Sequence, residues 1–141
     1  MNLVFGEDER IARWVHAQIP HMPAGFGEAK ALGVVDASLS ILGGVVFHEY
    51  RGNDIQMSCA AVSRRWLNRQ FLFAIFYYPF ITLGCERVTS FVPANNKHTR
   101  RFLEGLGFIQ EGIMRRGFIE DDCAIYGMLR SECKWIGEKN G

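Results

Sequence analysis

The sequence carries none of the usual marks of a specialised class. Its four cysteines, Cys59, Cys85, Cys123 and Cys133, form no C-x-x-C pair, which excludes the common zinc and disulfide frameworks and points to reduced thiols, with no metal site. Net charge is nearly absent: 16 Lys and Arg against 15 Asp and Glu give +1, so bulk electrostatics select neither nucleic acid nor a membrane surface. Local basic clusters stand at Arg64 and Arg65, at residues 97–101, and at Arg115 and Arg116. No apolar run approaches the roughly 20 residues of a membrane span, and the longest, residues 71–84, contains Pro79. The N-terminal region carries Glu7, Asp8 and Glu9 where a secretory signal would have a basic and then an apolar stretch. These absences make the cytoplasm the expected location. No repeat, low-complexity tract or linker divides the chain.

What is present is a globular composition, 48% hydrophobic and 22% charged, at the size of one domain with one core. Residues 1–141 are therefore read as a single domain. Ile11, Val15 and Ile19 recur every fourth position, with acids at the start of the stretch; this predicts an amphipathic helix over 7–19, ended by Pro20 and Pro23 and followed by a turn at 24–27. Three strands are expected at 31–37, 41–50 and 55–62, with a hairpin turn at 51–54. Residues 67–83 are apolar nearly all round and predict a buried helix broken at Pro79. A short strand at 87–92 precedes a helix at 95–106, which Asn95 or Asn96 can cap and Gly107 can end. Closing strands follow at 108–113 and 124–130. The order α, βββ, α, β, α, ββ implies an α/β fold with a mostly antiparallel central sheet and a right-handed crossover.

The run from Asn96 to Arg115 contains Asn96, Gly107-Phe108, Glu111-Gly112 and Arg115. It resembles the "N-x-x-A-x-x-x-Y-x-x-x-GF-x-x-EG-x-x-R" stretch of the GNAT superfamily of N-acetyltransferases. The likeness is greatest to the branch that acetylates the N-termini of ribosomal proteins. The element order matches that fold across nearly the whole chain. The resemblance implies a GNAT-like fold with a splayed strand pair and flanking helices, and acetyl-CoA as co-substrate lying in the splay. It implies a strand ending at Ala61 and Val62, whose backbone N–H groups polarise the thioester. It also implies a phosphate loop from residue 63 to about 72 resting on a helix N-terminus, with cofactor contacts at Leu67, Asn68, Arg69 and Gln70, and Asn96 on the pantetheine side.

The chain departs from the family pattern in three ways. The loop motif Gln/Arg-x-x-Gly-x-Gly/Ala falls on residues 67–72, so Gln70 and Leu72 replace its small residues; Arg69 with Arg64 or Arg65 either compensates by charge or forms a solvated rim. Leu103 stands where many relatives carry an acidic tyrosine. Gln56 and Ser58 stand where relatives carry a basic glutamate. Pairing across the 51–54 turn sets Tyr50 opposite Ile55 and Glu49 opposite Gln56. Glu49 is then the candidate general base on one face with Gln56 and Ser58, or an exposed strand-end residue beside the hairpin; Gln56 or Ser58 is a candidate to hold a water that relays the proton, and His48 points to the other face as a packing residue. Tyr126 is a replacement acid or a packing residue. Arg115, Arg116, Glu120, Asp121 and Asp122 border an acceptor pocket or form a solvated turn.

Acetyl transfer to a primary amine, either a protein N-terminus or a small amine, is the expected activity. A CoA-binding pseudoenzyme or partner-binding module on the same fold is the alternative. A homodimer is compatible with the sequence; a membrane partner is not expected, and near-neutral charge disfavours nucleic acid.

Overall fold

The computed structural model describes residues 1–19 and 25–137. The expected helix-ending Pro20 and Pro23, and Ala24 of the expected turn, lie outside the described residues. Among the described residues, seven strands form one sheet in the order β1-β2-β3-β4-β5-β7-β6. They are β1 (Asn2–Val4), β2 (Ala29–Val35), β3 (Ile41–His48), β4 (Asp54–Ala61), β5 (Arg87–Pro93), β6 (Ile109–Met114) and β7 (Cys123–Leu129). Every pairing is antiparallel except β4 with β5. The α-helices among the described residues are α1 (Asp8–Gln18), α2 (Arg69–Tyr77) and α3 (Lys97–Leu106). The expected α/β class and mixed sheet are those observed. One element escaped the sequence pattern: β1 is three residues long, and a period-two signal needs more residues than that to register.

Helix α1 covers one face of β2 to β4. Its stripe of Ile11 and Val15 is fully buried and meets Gly33 and Gly44, where an added Cβ would collide with Ile11 and Val15 side-chain carbons. The acidic residue at its start is anchored: Asp8 Oδ1 accepts the Ala31 N–H at 2.8 Å. Helices α2 and α3 cover the other face, burying Phe71, Leu72, Ile75, Phe76, Leu103 and Leu106 against β3, β4, β5 and β7.

The expected break at Pro79 takes a specific form. Proline has no N–H to continue the α-helical ladder, and the chain widens into a π-helical turn over Tyr78–Thr82, closed by Leu83 N–H donating to Tyr78 C=O at 3.0 Å. Helix α3 begins and ends as its sequence implies. Asn96 caps it by accepting the Thr99 N–H at 3.1 Å, and Gly107 ends it at φ 115°.

The β3–β4 connection differs from expectation. β3 stops at His48 and β4 starts at Asp54; the intervening loop is closed by Arg51 N–H to Asp54 C=O at 2.8 Å. Glu49 and Gly52 both take left-handed backbone, at φ 57° and 84°. His48, not Glu49, is therefore the partner of Gln56. A one-residue slip exchanges the two faces of a strand, so the expected positions of His48 and Glu49 are reversed.

Candidate active site

The parallel β4–β5 ladder holds only three pairs, Asp54↔Arg87, Ile55↔Val88 and Gln56↔Thr89. Polar side chains lock this paired end. Thr89 Oγ1 donates to Asp54 Oδ1 at 2.8 Å, Arg87 Nε donates to Thr89 Oγ1 at 3.0 Å, and Arg87 forms a 2.8 Å ion pair with Glu111 of β6. Gly127 makes the last contact feasible: an added Cβ there would fall on the Arg87 and Glu111 side chains. The carboxylate partner raises the Arg87 pKa further, so the guanidinium keeps its charge at any ordinary pH.

Beyond Gln56 and Thr89 the two strands part. Ser90 reaches across at the point of divergence and donates its hydroxyl to Met57 C=O at 2.9 Å. In a strand, successive backbone groups point to alternate neighbours. With Met57 C=O facing β5, the N–H and C=O groups of Cys59 and Ala61 face it as well, and no ladder partner meets them there among the described residues. Val62 is placed differently: its N–H donates to Leu42 C=O of β3 at 2.9 Å, so of the pair Ala61 and Val62 only Ala61 lies on the open row.

This row leads to the start of α2. Asn68 is the N-cap, its side chain accepting the Phe71 N–H at 2.9 Å and its C=O accepting the Leu72 N–H at 3.0 Å. The N–H groups of Arg69 and Gln70 belong to the first turn, where an α-helix has no internal partner for them. Asn68, Arg69 and Gln70 are exposed and Leu67 is half-buried. Leu72 is buried in the core, so the bulk that replaces a small residue there points inward, away from the exposed rim. The Arg69 guanidinium sits 5.9 Å from the centre of the Trp135 ring, within cation–π range. Trp66, just before the helix, is buried against Gly43 and Phe102. Around it Met57, Cys59, Leu72 and Leu106 leave a space of only about 10 Å³.

The sheet face opposite α2 and α3 carries the polar residues of the site. His48 and Ser58 meet there, with Nε2 and Oγ 2.9 Å apart. Phe26 packs on the imidazole with ring centroids 4.9 Å apart, and His48 is buried. Burial lowers the His48 pKa from 6.5, and the neighbouring Glu49 carboxylate opposes that shift more weakly. Glu49 itself is exposed in the loop beyond the strand end, so the structure does not bring it onto the Gln56 and Ser58 face. A hollow of about 470 Å³ lies on the same side of the sheet, between α1 and residues 25–29, lined by Asp8, Glu9, Arg13, His16, Phe26 and Glu28.

Other residues singled out in the sequence have structural partners. Leu103 is buried in the core under α3. The Tyr126 hydroxyl donates to Glu104 at 2.7 Å and accepts from Arg100 Nε at 3.1 Å, and burial raises its pKa. Asp121 accepts the Asn95 N–H at 2.9 Å and Asp122 the Arg116 N–H at 2.8 Å, which ties the last loop to the start of α3. The Asn96 side-chain oxygen is engaged as a helix cap. Burial drives the Cys59 thiol up to about 12, so it is not an activated nucleophile. Sequence reasoning missed the pairing of His48 with Ser58. The pairing depends on the loop after β3 taking in Glu49 in left-handed backbone, for which the sequence carries no signal.

No protein-family model matches the chain, and no curated protein does. Solved structures do. A mutant of the spermidine N-acetyltransferase from Vibrio cholerae superposes at TM-score 0.76 with 16% identity, over 99% of both chains. A dodecameric structure of spermidine N-acetyltransferase from the same organism gives 0.74 at 14% identity, over 92% of this chain and 94% of that one. A probable acetyltransferase gives 0.65 at 18% identity, over 86% of this chain and 67% of that one. The fold of this chain, a seven-stranded mixed sheet with helices, is thus the one these acetyltransferases share.

Proposed function

We propose that the protein is an acetyl-CoA-dependent N-acetyltransferase that acts on a primary amine. The observation that carries this reading is the splay after Gln56 and Thr89, which leaves the Cys59 and Ala61 backbone groups open on a row that runs to the N-terminus of α2. An extended amide-bearing arm fits such a row as an added strand does. A pyrophosphate fits a helix start whose first N–H groups are unpartnered and whose exposed side chain is Arg69. The α2 start needs no glycine for this, because Leu72 turns inward and Gln70 and Arg69 outward.

Within that reading, the row orients the thioester and a β4 N–H polarises its carbonyl. Attack by the neutral amine forms the C–N bond as the C–S bond breaks, and coenzyme A leaves as thiolate. Tyr126 is held by Glu104 and Arg100 and takes no part in this step. The acceptor approaches from the face that carries His48 and Ser58. A protein N-terminus, with a pKa near 8, offers far more neutral amine at pH 7 than a lysine near 10.4. An N-terminus or another low-pKa amine is therefore the favoured acceptor, as the resemblance to the N-terminal branch also implies.

The test combines binding and turnover. Coenzyme A should raise the melting temperature, and acetyl-CoA should release thiol in the presence of at least one member of a panel of peptide N-termini, polyamines and small amines. A shift without thiol release from any of them would leave a CoA-binding module in place of an enzyme. No shift at millimolar coenzyme A would remove both readings.

A further inference from the structure

Ser58 lies two positions beyond the last β4–β5 pair, next to the first open backbone group at Cys59. Its hydroxyl projects to the α1 face, 2.9 Å from Nε2 of His48. Two adjacent antiparallel strands hold the pair, so its geometry is set by the sheet and not by a loop. Phe26 closes over the imidazole from the α1 side. With the ring proton on Nδ1, Nε2 accepts the serine proton, and Ser58 Oγ keeps lone pairs free for a further donor.

We infer that Ser58 and His48 form the path by which the attacking amine loses its proton, Ser58 touching the amine and His48 acting through it as the base. This rests on the acetyltransferase reading above. As the amine nitrogen bonds to the thioester carbon it becomes cationic. It passes one proton to Ser58 Oγ while the serine proton moves to His48 Nε2. The C–S bond breaks, the thiolate departs with its electron pair, and the imidazolium later returns its proton to solvent. The charge balance closes with no other reactant.

The surroundings suit a base that is neutral before the reaction. Glu49, next in the chain, is the charged group whose field reaches the ring, and it favours protonation, though less strongly than burial opposes it. On β4 the same face carries uncharged Gln56, then Asp54, which is held by Thr89 and Arg87. On β2 the residue opposite is Ala29. From α1, His16 packs on Phe26 at 6.1 Å.

His48→Gln keeps a side chain able to hydrogen-bond Ser58 and removes the proton acceptor. In the full chain it should retain the coenzyme A melting shift and the KM for acetyl-CoA, while kcat falls about 10²–10⁴-fold, the usual contribution of a positioned base. The acid limb of the wild-type kcat profile should vanish with it. Ser58→Ala, which deletes one oxygen, should lower kcat at least tenfold with the fold intact. Ser58→Thr, which keeps the hydroxyl, should restore part of it together with the acid limb of the kcat profile, a pH dependence that a purely structural contact would not produce. A wild type that acetylates an amine, together with folded variants whose kcat stays within about threefold, would overturn the relay alone. A wild type that acetylates no amine would overturn the acetyltransferase reading and the relay with it.

Discussion

Gly43 on β3 faces the Trp66 indole, and the contact sets a measurable cost for a single methyl group. A Cβ added there would stand 2.5 Å from Cδ2 of Trp66 and closer still to Cε3. Carbon atoms pack at about 3.5–4.0 Å, so the ring must retreat by about 1 Å. It has little room to do so: Trp66 is buried beside Phe102, and the adjoining space holds about 10 Å³. Overpacking of this kind costs about 1–3 kcal/mol. Gly→Ala also restricts the unfolded chain, which offsets about 0.4–1 kcal/mol. The steric effect is larger, so Gly43→Ala should destabilise by about 1–2 kcal/mol. For a domain of this size that lowers the melting temperature by roughly 2–8 °C. Urea unfolding of Gly43→Ala, Trp66→Leu and the double variant forms a cycle that isolates the contact. In the Trp66→Leu background the alanine should cost nothing or stabilise. A midpoint for Gly43→Ala equal to wild type, or the same loss in both backgrounds, would refute the reasoning.

Further expectations concern the helix start, the buried histidine and the loop glutamate. Asn68→Ala removes the side-chain cap on Phe71 N–H and should cost about 1 kcal/mol in chemical denaturation; a value indistinguishable from zero would mean that water or a neighbour replaces the cap. Arg69→Ala should weaken full coenzyme A more than a pantetheine fragment lacking the phosphates, since only the former offers a charge-assisted contact; calorimetry showing equal losses would remove Arg69 from phosphate binding. Burial lowers the folded-state pKa of His48 from 6.5, so below pH 6.5 the unfolded chain binds a proton that the folded chain excludes until lower pH. The His48 contribution is thus present above pH 6.5 and lost as pH falls through the folded value. The melting temperature should fall less steeply between pH 7 and 5 in His48→Gln than in wild type, and parallel curves would contradict this. Glu49→Gln should leave folding unchanged and lower transfer only slightly, through the lost field at His48, and abolition of transfer with coenzyme A binding intact would return Glu49 to the role of base.

Apart from β1, the element order, the α1 stripe, the Asn96 cap, the Gly107 stop and the break at Pro79 were legible in the sequence. Each depends on neighbours within a few positions, through helical spacing, a capping side chain, a left-handed backbone or a missing N–H. Three things depended on tertiary structure. The extent of the β4–β5 splay is decided by pairing between segments separated by a helix and by the Arg87, Thr89, Asp54 and Glu111 lock, which joins residues more than 50 positions apart in the chain. The inward turn of Leu72 followed from where α2 packs. The exchange of His48 for Glu49 followed from register. On β3 residues 43–48 are all buried, because α1 covers one face and α2 the other, so no alternation told the faces apart. The register therefore rested on the turn, and left-handed backbone at Glu49, a residue with a Cβ, is a conformation its sequence does not announce. One extra residue in that loop brought a histidine, and not a glutamate, beside Ser58.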